Sequence, residues 1–154
     1  MDFNTSVSRL PSPSAKRIAL RISAPAERAL RQGHPWVFDQ SITWQSHKSE
    51  PGDLAVIFDE KRRFLAIGLY DPTSPIRVRI LQSREPAAIN ADWFRNKLVS
   101  AARLRASLEG QDTTGYRLVH GENDDLPGLV LDRYADTLVL KLYTPAWIPH
   151  LKEF

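Results

Sequence analysis

Between residues 120 and 134 the sequence reads HGENDDLPGLVLDRY. Glu122, Asp124, Asp125 and Asp132 could supply a general acid and a general base, provided their surroundings push the two pKa values apart. His120 and Glu122 also have the spacing with which zinc deaminases set a metal-binding His beside a proton-shuttling Glu. That reading fails, because the chain has no cysteine to complete the ligand set and His34, His47, His120 and His150 are scattered without ligand spacing. No metal site is expected. For the carboxylates a structural turn is the stronger reading, since Asn and Asp side chains bond their own backbone while Pro127 and Gly128 set the turn angles. No catalytic residue is assigned, and a carboxylate hydrolase at 120–132 is the least favoured activity.

Phosphate-cradling loops need clustered glycines that let the backbone approach the anion. The seven glycines are spread along the chain, so neither a P-loop nor a nucleotide or S-adenosylmethionine loop of the usual kind is expected. The charge points elsewhere. Residues 16–84 hold 12 Lys and Arg against 7 Asp and Glu, whereas residues 85–154 hold 8 against 10. A basic first half suits an anionic partner, nucleic acid before others, with an ordinary solvated surface as the plain alternative. The candidate phosphate track joins Arg17, Arg21, Arg77 and Arg79, read as outward residues of strands, to the hairpin tip Lys61-Arg62-Arg63. Beside it, Gly33-His34-Pro35-Trp36-Val37-Phe38 follows Arg28 and Arg31, and aromatic rings next to Arg can stack on unpaired bases. Trp36 and Phe38 are read first as core residues, with Arg31 and His34 facing outward; Trp36 stays on the contact list with Arg28.

The elements that must carry these residues follow from periodicity. Lys16 to Ile22 alternates, with Ile18, Leu20 and Ile22 on one face, as a half-buried strand does. Pro25 suits the start of a short helix through Arg31, and Gly33 its left-handed stop. LAVIF at 54–58 and FLAIGLY at 64–70 flank a polar turn and read as a hairpin, and IRVRIL at 76–81 alternates again, with Ile76, Val78 and Ile80 inward. Short strands with one small helix predict a compact β-barrel over 16–84. From Asn90 to Glu109 the period is helical, through Phe94, Leu98, Ala101, Leu104 and Leu108, with Asn90 or Asp92 as cap and Gly110 as stop. Strands follow at 116–120, 128–134 and 136–143, the last two as a hairpin. Pro145 opens a helix whose apolar face is Trp147, Ile148, Leu151 and Phe154. That face is bare, so the expectation is either a fragment of a longer chain or a protein-interaction surface.

The bulk numbers bound the rest. A chain of 154 residues, 42% hydrophobic, holds one medium domain or two small ones. Without cysteine there is no disulfide framework, the first 15 residues lack an apolar signal core and read as a disordered tail, and no apolar run reaches membrane length. A cytoplasmic protein without membrane partners is expected.

Taken together, RQGHPWVF at 31–38, GLYDPTSPIRVRIL at 68–81 and YRLVHGENDDLPGLVLDRY at 116–134 resemble the RlmI-like family of class I S-adenosylmethionine-dependent 23S rRNA cytosine-5 methyltransferases. The resemblance covers nearly the whole chain after the tail. It implies a mixed α+β fold: a PUA domain, the small RNA-binding β-barrel, at 16–84, then the start of a central α/β linker domain at 90–154 made of a long helix plus a β-hairpin, with the Rossmann-like methyltransferase domain absent. It implies no cofactor in this chain, S-adenosylmethionine being held by the missing domain together with the catalytic Cys, and RNA, 23S rRNA first, as the partner. A homodimer is left open. The chain then serves as an RNA-binding and positioning part, not catalytic alone, and Arg117, Glu122, Asp124, Asp132 and Arg133 become a family turn motif facing the substrate groove or the missing domain. Two departures stand out. The family commonly carries glycine at the positions of Asp125 and Ala135, and if either needs a positive φ, Asp tolerates it moderately and Ala poorly.

Overall fold

A computed structural model of the chain describes residues 9–108 and 113–153. They fall into two compact units. One holds the described residues up to Ala87 together with Thr144–Glu153, and the other spans Ala88–Tyr143. The expected second domain was to run through 154; instead residues 144–153 belong to the first unit.

The first unit is built on a curled six-stranded sheet. In chain order its elements are β1 (Ile18–Ile22), α1 (Ala24–Arg31), β2 (Trp36–Phe38), β3 (Ile42–Gln45), β4 (Leu54–Phe58), β5 (Phe64–Tyr70) and β6 (Ile76–Ser83). Across the sheet the order is β2-β6-β5-β4-β1-β3, with β1 and β4 parallel and the other neighbours antiparallel. The expected closed barrel is thus a curled sheet with two edges, β2 and β3, which a 3₁₀ turn at Asp39–Ser41 joins. β3 had no clear signature in the sequence.

Alternation works as expected in β1, whose Ile18, Leu20 and Ile22 are all buried. They pack with Val37, Ala55, Ile57 and Val78 and with Leu30 of α1, and each side chain of this size withdrawn from water contributes roughly 1.5–3 kcal/mol. α1 begins after Ser23, carries Pro25 in its first turn and gives way to Gly33 at φ +93°, a conformation that costs glycine nothing.

β5 is buried on both faces, from Leu65 to Tyr70. The face away from the main core, which carries Ile67 and Leu69, is shielded by 3₁₀ turns at Pro145–Glu153. Proline at 149 forbids the regular helix expected from Pro145 onward. Its expected apolar face is not bare either. Trp147 is fully buried, His150 is buried with Nε2 2.7 Å from the Gly52 carbonyl, and Thr144 donates to Asp71 at 2.6 Å. The protein-interaction surface proposed for that segment is therefore corrected to an internal contact; Phe154 lies outside the described residues, as do residues 1–8 of the expected tail.

In the second unit α2 (Ala91–Leu104) starts at Asn90, whose side chain accepts from the Trp93 N–H at 3.0 Å, an N-cap of the expected kind. Phe94 and Ala101 are buried, whereas Leu104, assigned to the apolar face, is exposed. The helix stops there and passes into a 3₁₀ turn at Ala106–Leu108; the expected end at Glu109 and Gly110 lies outside the described residues. β7 (Gly115–His120), β8 (Leu129–Tyr134) and β9 (Thr137–Leu142) form one antiparallel meander, so the expected hairpin has a third strand. Both substituted glycine positions adopt the left-handed region, Asp125 at φ +57° and Ala135 at φ +51°. No helix among the described residues is long and apolar enough to cross a membrane.

Candidate nucleic-acid interface

The cations of the first unit separate by what lies beside them. Asp59, at the start of the β4–β5 turn, is 3% exposed and organises one end of the sheet. It accepts from Arg63 Nε at 2.7 Å and from the Arg63 backbone N–H at 2.8 Å, and Arg31 at the end of α1 reaches it at 3.4 Å while bonding Glu27 at 2.8 Å. The Arg63 backbone N–H, working against burial and helped by the Arg63 guanidinium, holds the Asp59 carboxyl below its ordinary value. Arg31 and Arg63 are thereby fixed in place, half to two-thirds exposed at their side chains.

Around this anchor stand Arg28, Lys61 and Arg62, all exposed and, among the described residues, outside any ion pair. Arg62 has a positive φ of 62°, the kind of strained turn that points a side chain outward from a hairpin tip. Arg84, which the sequence reading did not single out, joins them. Its backbone N–H bonds the Leu65 carbonyl, its φ is +72°, and it lines a cleft of about 390 Å³ with Leu30, Arg31, Phe64, Leu65 and Ser83. Glu60 and Glu85 are the exposed acids of the same end.

The remaining members of the expected track, apart from Arg21, which lies opposite Phe58 next to Asp59, are placed elsewhere. Arg17 precedes β1 and is exposed; β1 runs parallel to β4, so Arg17 sits at the end of the sheet opposite the hairpin tip. Arg21 is half-buried, with its guanidinium 4.8 Å from the Trp44 ring centroid. Arg77 is half-buried, bonded to the carbonyls of Asp71 and Pro72 and 3.8 Å from Asp39. Arg79 is 7% exposed and donates to the Ile76 carbonyl. The outward assignment of Arg79 is corrected, and that of Arg77 in part. Arg79 faces the same side as its register partner Leu69, the side of β5 that residues 145–153 cover. There its charge serves Asp71: burial pushes that carboxyl up, but the Thr144 and Thr73 hydroxyls, the Thr73 N–H and Arg79 bring it below its ordinary value.

β2 reverses another expectation. Val37 is the buried residue, Trp36 is half-buried and Phe38 is 42% exposed, so Trp36 and Phe38 are not core residues. With exposed His34 they form one aromatic group: ring centroids lie 5.9 Å apart for His34 and Trp36, 6.4 Å for Trp36 and Phe38, and 6.2 Å for His34 and Phe38. Nothing in the sequence marked Phe38 as outward, because a three-residue strand is too short for alternation to show.

In the second unit the carboxylates of the 120–134 motif hold the loop together. Asp124, buried, takes a two-pronged bond from Arg105 at 2.8 Å on each oxygen and a further one from the His120 N–H. Burial pushes its carboxyl up; Arg105 and the His120 N–H outweigh that and leave it below the ordinary value. Asp132 is held low chiefly by Arg117, at 2.9 Å. Asp125 meets Lys97 at 2.7 Å, Glu122 is half-buried and engaged in the turn, and Arg133 bonds the Ala135 carbonyl and lies 6.0 Å from the Tyr116 ring centroid. Asp124 and Asp132 are thus both held charged by arginine partners, and neither is set up as the proton-donating member of an acid and base pair. Among the described residues no group of three His, Asp or Glu could hold a metal ion. Neither helix is entered through glycine, since α1 follows Ser23 and α2 follows Asn90; the described residues do not fit an S-adenosylmethionine seat of the glycine-loop kind.

Comparison with known proteins accords with this architecture. Residues 20–83 match the model of a PUA-like domain. A protein of Deinococcus radiodurans named ribosomal RNA large subunit methyltransferase is 50% identical over 148 residues, 93% of this chain and 36% of its own length. Ribosomal RNA large subunit methyltransferase I of Photobacterium profundum is 41% identical over 118 residues, 75% of this chain and 30% of its own. The chain thus spans about a third of the length of the curated relatives it matches. A Streptococcus mutans protein provisionally described as a SAM-dependent methyltransferase shares the fold with a TM-score of 0.76 at 16% identity, over 88% of this chain and 35% of that one. The sequence relationship, extending across a PUA-like domain and the 116–134 motif alike, places this chain in the family of the ribosomal RNA large subunit methyltransferases.

Proposed function

We propose that this chain is the RNA-gripping and positioning part of a ribosomal RNA large subunit methyltransferase, with 23S rRNA as its partner in the cytoplasm. The observation that carries this reading is the cationic end organised by buried Asp59, where Arg31 and Arg63 are held in fixed positions beside Arg28, Lys61, Arg62 and Arg84, all exposed and, among the described residues, outside any ion pair. Fixed guanidiniums lose little conformational freedom on meeting phosphate oxygens, and contacts of this kind set register on RNA without reading its sequence. Arg17 contributes at most the far edge of the surface, half-buried Arg21 lies opposite Phe58 at the near end, and Arg77 and Arg79 are held inward. On this reading the methyl transfer, the catalytic Cys and S-adenosylmethionine belong to the part of the relatives' length that these 154 residues do not span, and the chain alone methylates nothing.

The test is binding of the full chain to a fluorescent fragment of 23S rRNA, followed by anisotropy across a salt series. Charge reversal at the hairpin tip, Lys61→Glu with Arg62→Glu, is expected to weaken binding at low salt on the order of 10-fold or more and to flatten the slope of log K against log salt by about 1.4, two single-strand phosphates' worth. The same affinity and slope in the variant would overturn the assignment.

A further inference from the structure

We propose that His34, Trp36 and Phe38 form a seat on which an unpaired nucleobase stacks, so that the RNA this module prefers is single-stranded or looped and not duplex. The inference rests on the RNA-binding reading above and adds the kind of RNA.

Trp36 and Phe38 share a face because alternate residues of an extended strand do, with Val37 on the core side, and the His34 ring, which precedes the strand, joins them at 5.9 and 6.2 Å. β2 is an edge strand of the six-stranded sheet, so no further strand pairs beyond it. Its rings meet edge to face, at 82° for His34 with Trp36 and 85° for Trp36 with Phe38, an arrangement that does not sandwich the rings against one another and leaves ring surface facing outward. Exposing so much aromatic surface is costly unless something uses it.

The occupant is argued from the surroundings. A peptide strand adding to the edge of β2 would need its free backbone groups, but the His34 ring sits against them at Trp36: Nδ1 lies 3.3 Å from the Trp36 nitrogen and 3.0 Å from its carbonyl oxygen, accepting from the first or donating to the second according to its tautomer. That closure blunts the edge against strand addition. The cations point to a nucleic acid. The His34 backbone N–H bonds the Ala29 carbonyl, which places the His34 end of the group directly after the helix that carries Arg28 and Arg31, while Phe38, paired with Ile76, lies farther along β2. Stacking surface beside backbone-holding cations is the combination that binds unpaired strands, whereas a paired helix keeps its base faces hidden in the stack and offers only its shape, its phosphates and the 2′-hydroxyls of its minor groove.

The experiment compares a single-stranded RNA dodecamer with a 12-base-pair RNA duplex of the same sequence, using the full chain. Phe38→Ala is expected to weaken single-strand binding about five-fold or more, leave duplex binding and the salt slope unchanged, and be rescued by Phe38→Tyr. Thermal melting, expected to change little for so exposed a side chain, separates stacking from folding. If the Lys61→Glu, Arg62→Glu chain loses affinity while Phe38→Ala and His34→Ala bind both RNAs as the parent does, the seat is overturned and the RNA reading stands. Equal losses on single strand and duplex also overturn the seat. A parent chain that binds neither RNA overturns both.

Discussion

The carboxylate of Asp59 accepts the Nε–H of Arg63 at 2.7 Å and the backbone N–H of the same residue at 2.8 Å, so one buried acid closes the hairpin tip and sets the direction of its cations. By charge alone, removing an acid from a cationic end would strengthen RNA binding. If the acid's role is to hold Arg31 and Arg63 in place, Asp59→Asn should lower the melting temperature by several degrees and weaken RNA binding. Anisotropy on the 23S fragment and a thermal melt decide between the two, and tighter binding would show that the order of this end is immaterial.

Asp124 makes acid stability a local matter in the second unit. Its carboxyl is held below the unfolded value, so the stability it contributes is fully present above about pH 4 and is lost as pH falls through the depressed folded value. Asp124→Ala strands the Arg105 guanidinium, and breaking a buried pair from one side costs about 3 kcal/mol. Denaturant melts at neutral pH measure that loss. Repeated between pH 5 and pH 2, they should show a shallower acid fall in the variant than in the parent.

The two left-handed positions should respond differently to glycine. Ala135 at φ +51° has no side-chain function to lose, and relief of left-handed strain of roughly 1–2 kcal/mol is offset in part by the freedom glycine adds to the unfolded chain. Ala135→Gly is expected to stabilise by about 1 kcal/mol. Asp125→Gly also gives up the exposed pair with Lys97, a contribution of at most about 1 kcal/mol, and should come out near neutral. Chemical denaturation of the two variants side by side gives both numbers.

Gly68 lies in β5 opposite the bulge where its pairing with β6 shifts register. A Cβ there would run into the Arg79 backbone carbonyl and the Val78 side chain, and the carbonyl cannot swing aside as a flexible side chain could. Gly68→Ala should destabilise by about 1–3 kcal/mol in the equilibrium melt. A neutral result would mean that the two strands can separate at the bulge at little cost.

Much of this protein was determined by its sequence alone. The alternation of Ile18, Leu20 and Ile22, the hairpin around residues 59–63, the Asn90 cap and the turn at Asn123–Gly128 are local facts, carried by side-chain period and by the few residues that suit a cap or a left-handed bend. The family motifs were legible for the same reason, being contiguous stretches. What only the tertiary structure decided is which faces meet water. Period sent Arg79 outward and aromatic size sent Phe38 inward, the reverse of what is observed, because neither property says what covers a face of a strand. Residues 145–153 pack on β5, on the side where Arg79 is buried, while on the edge strand β2 Trp36 stays half-buried and Phe38 exposed. The pairing of Arg31 with Asp59, 28 residues apart, and of Arg105 with Asp124, 19 apart, belongs to the same class. Attraction between charges depends on their distance in space, and that distance is set only once the sheet has curled and the loop has closed.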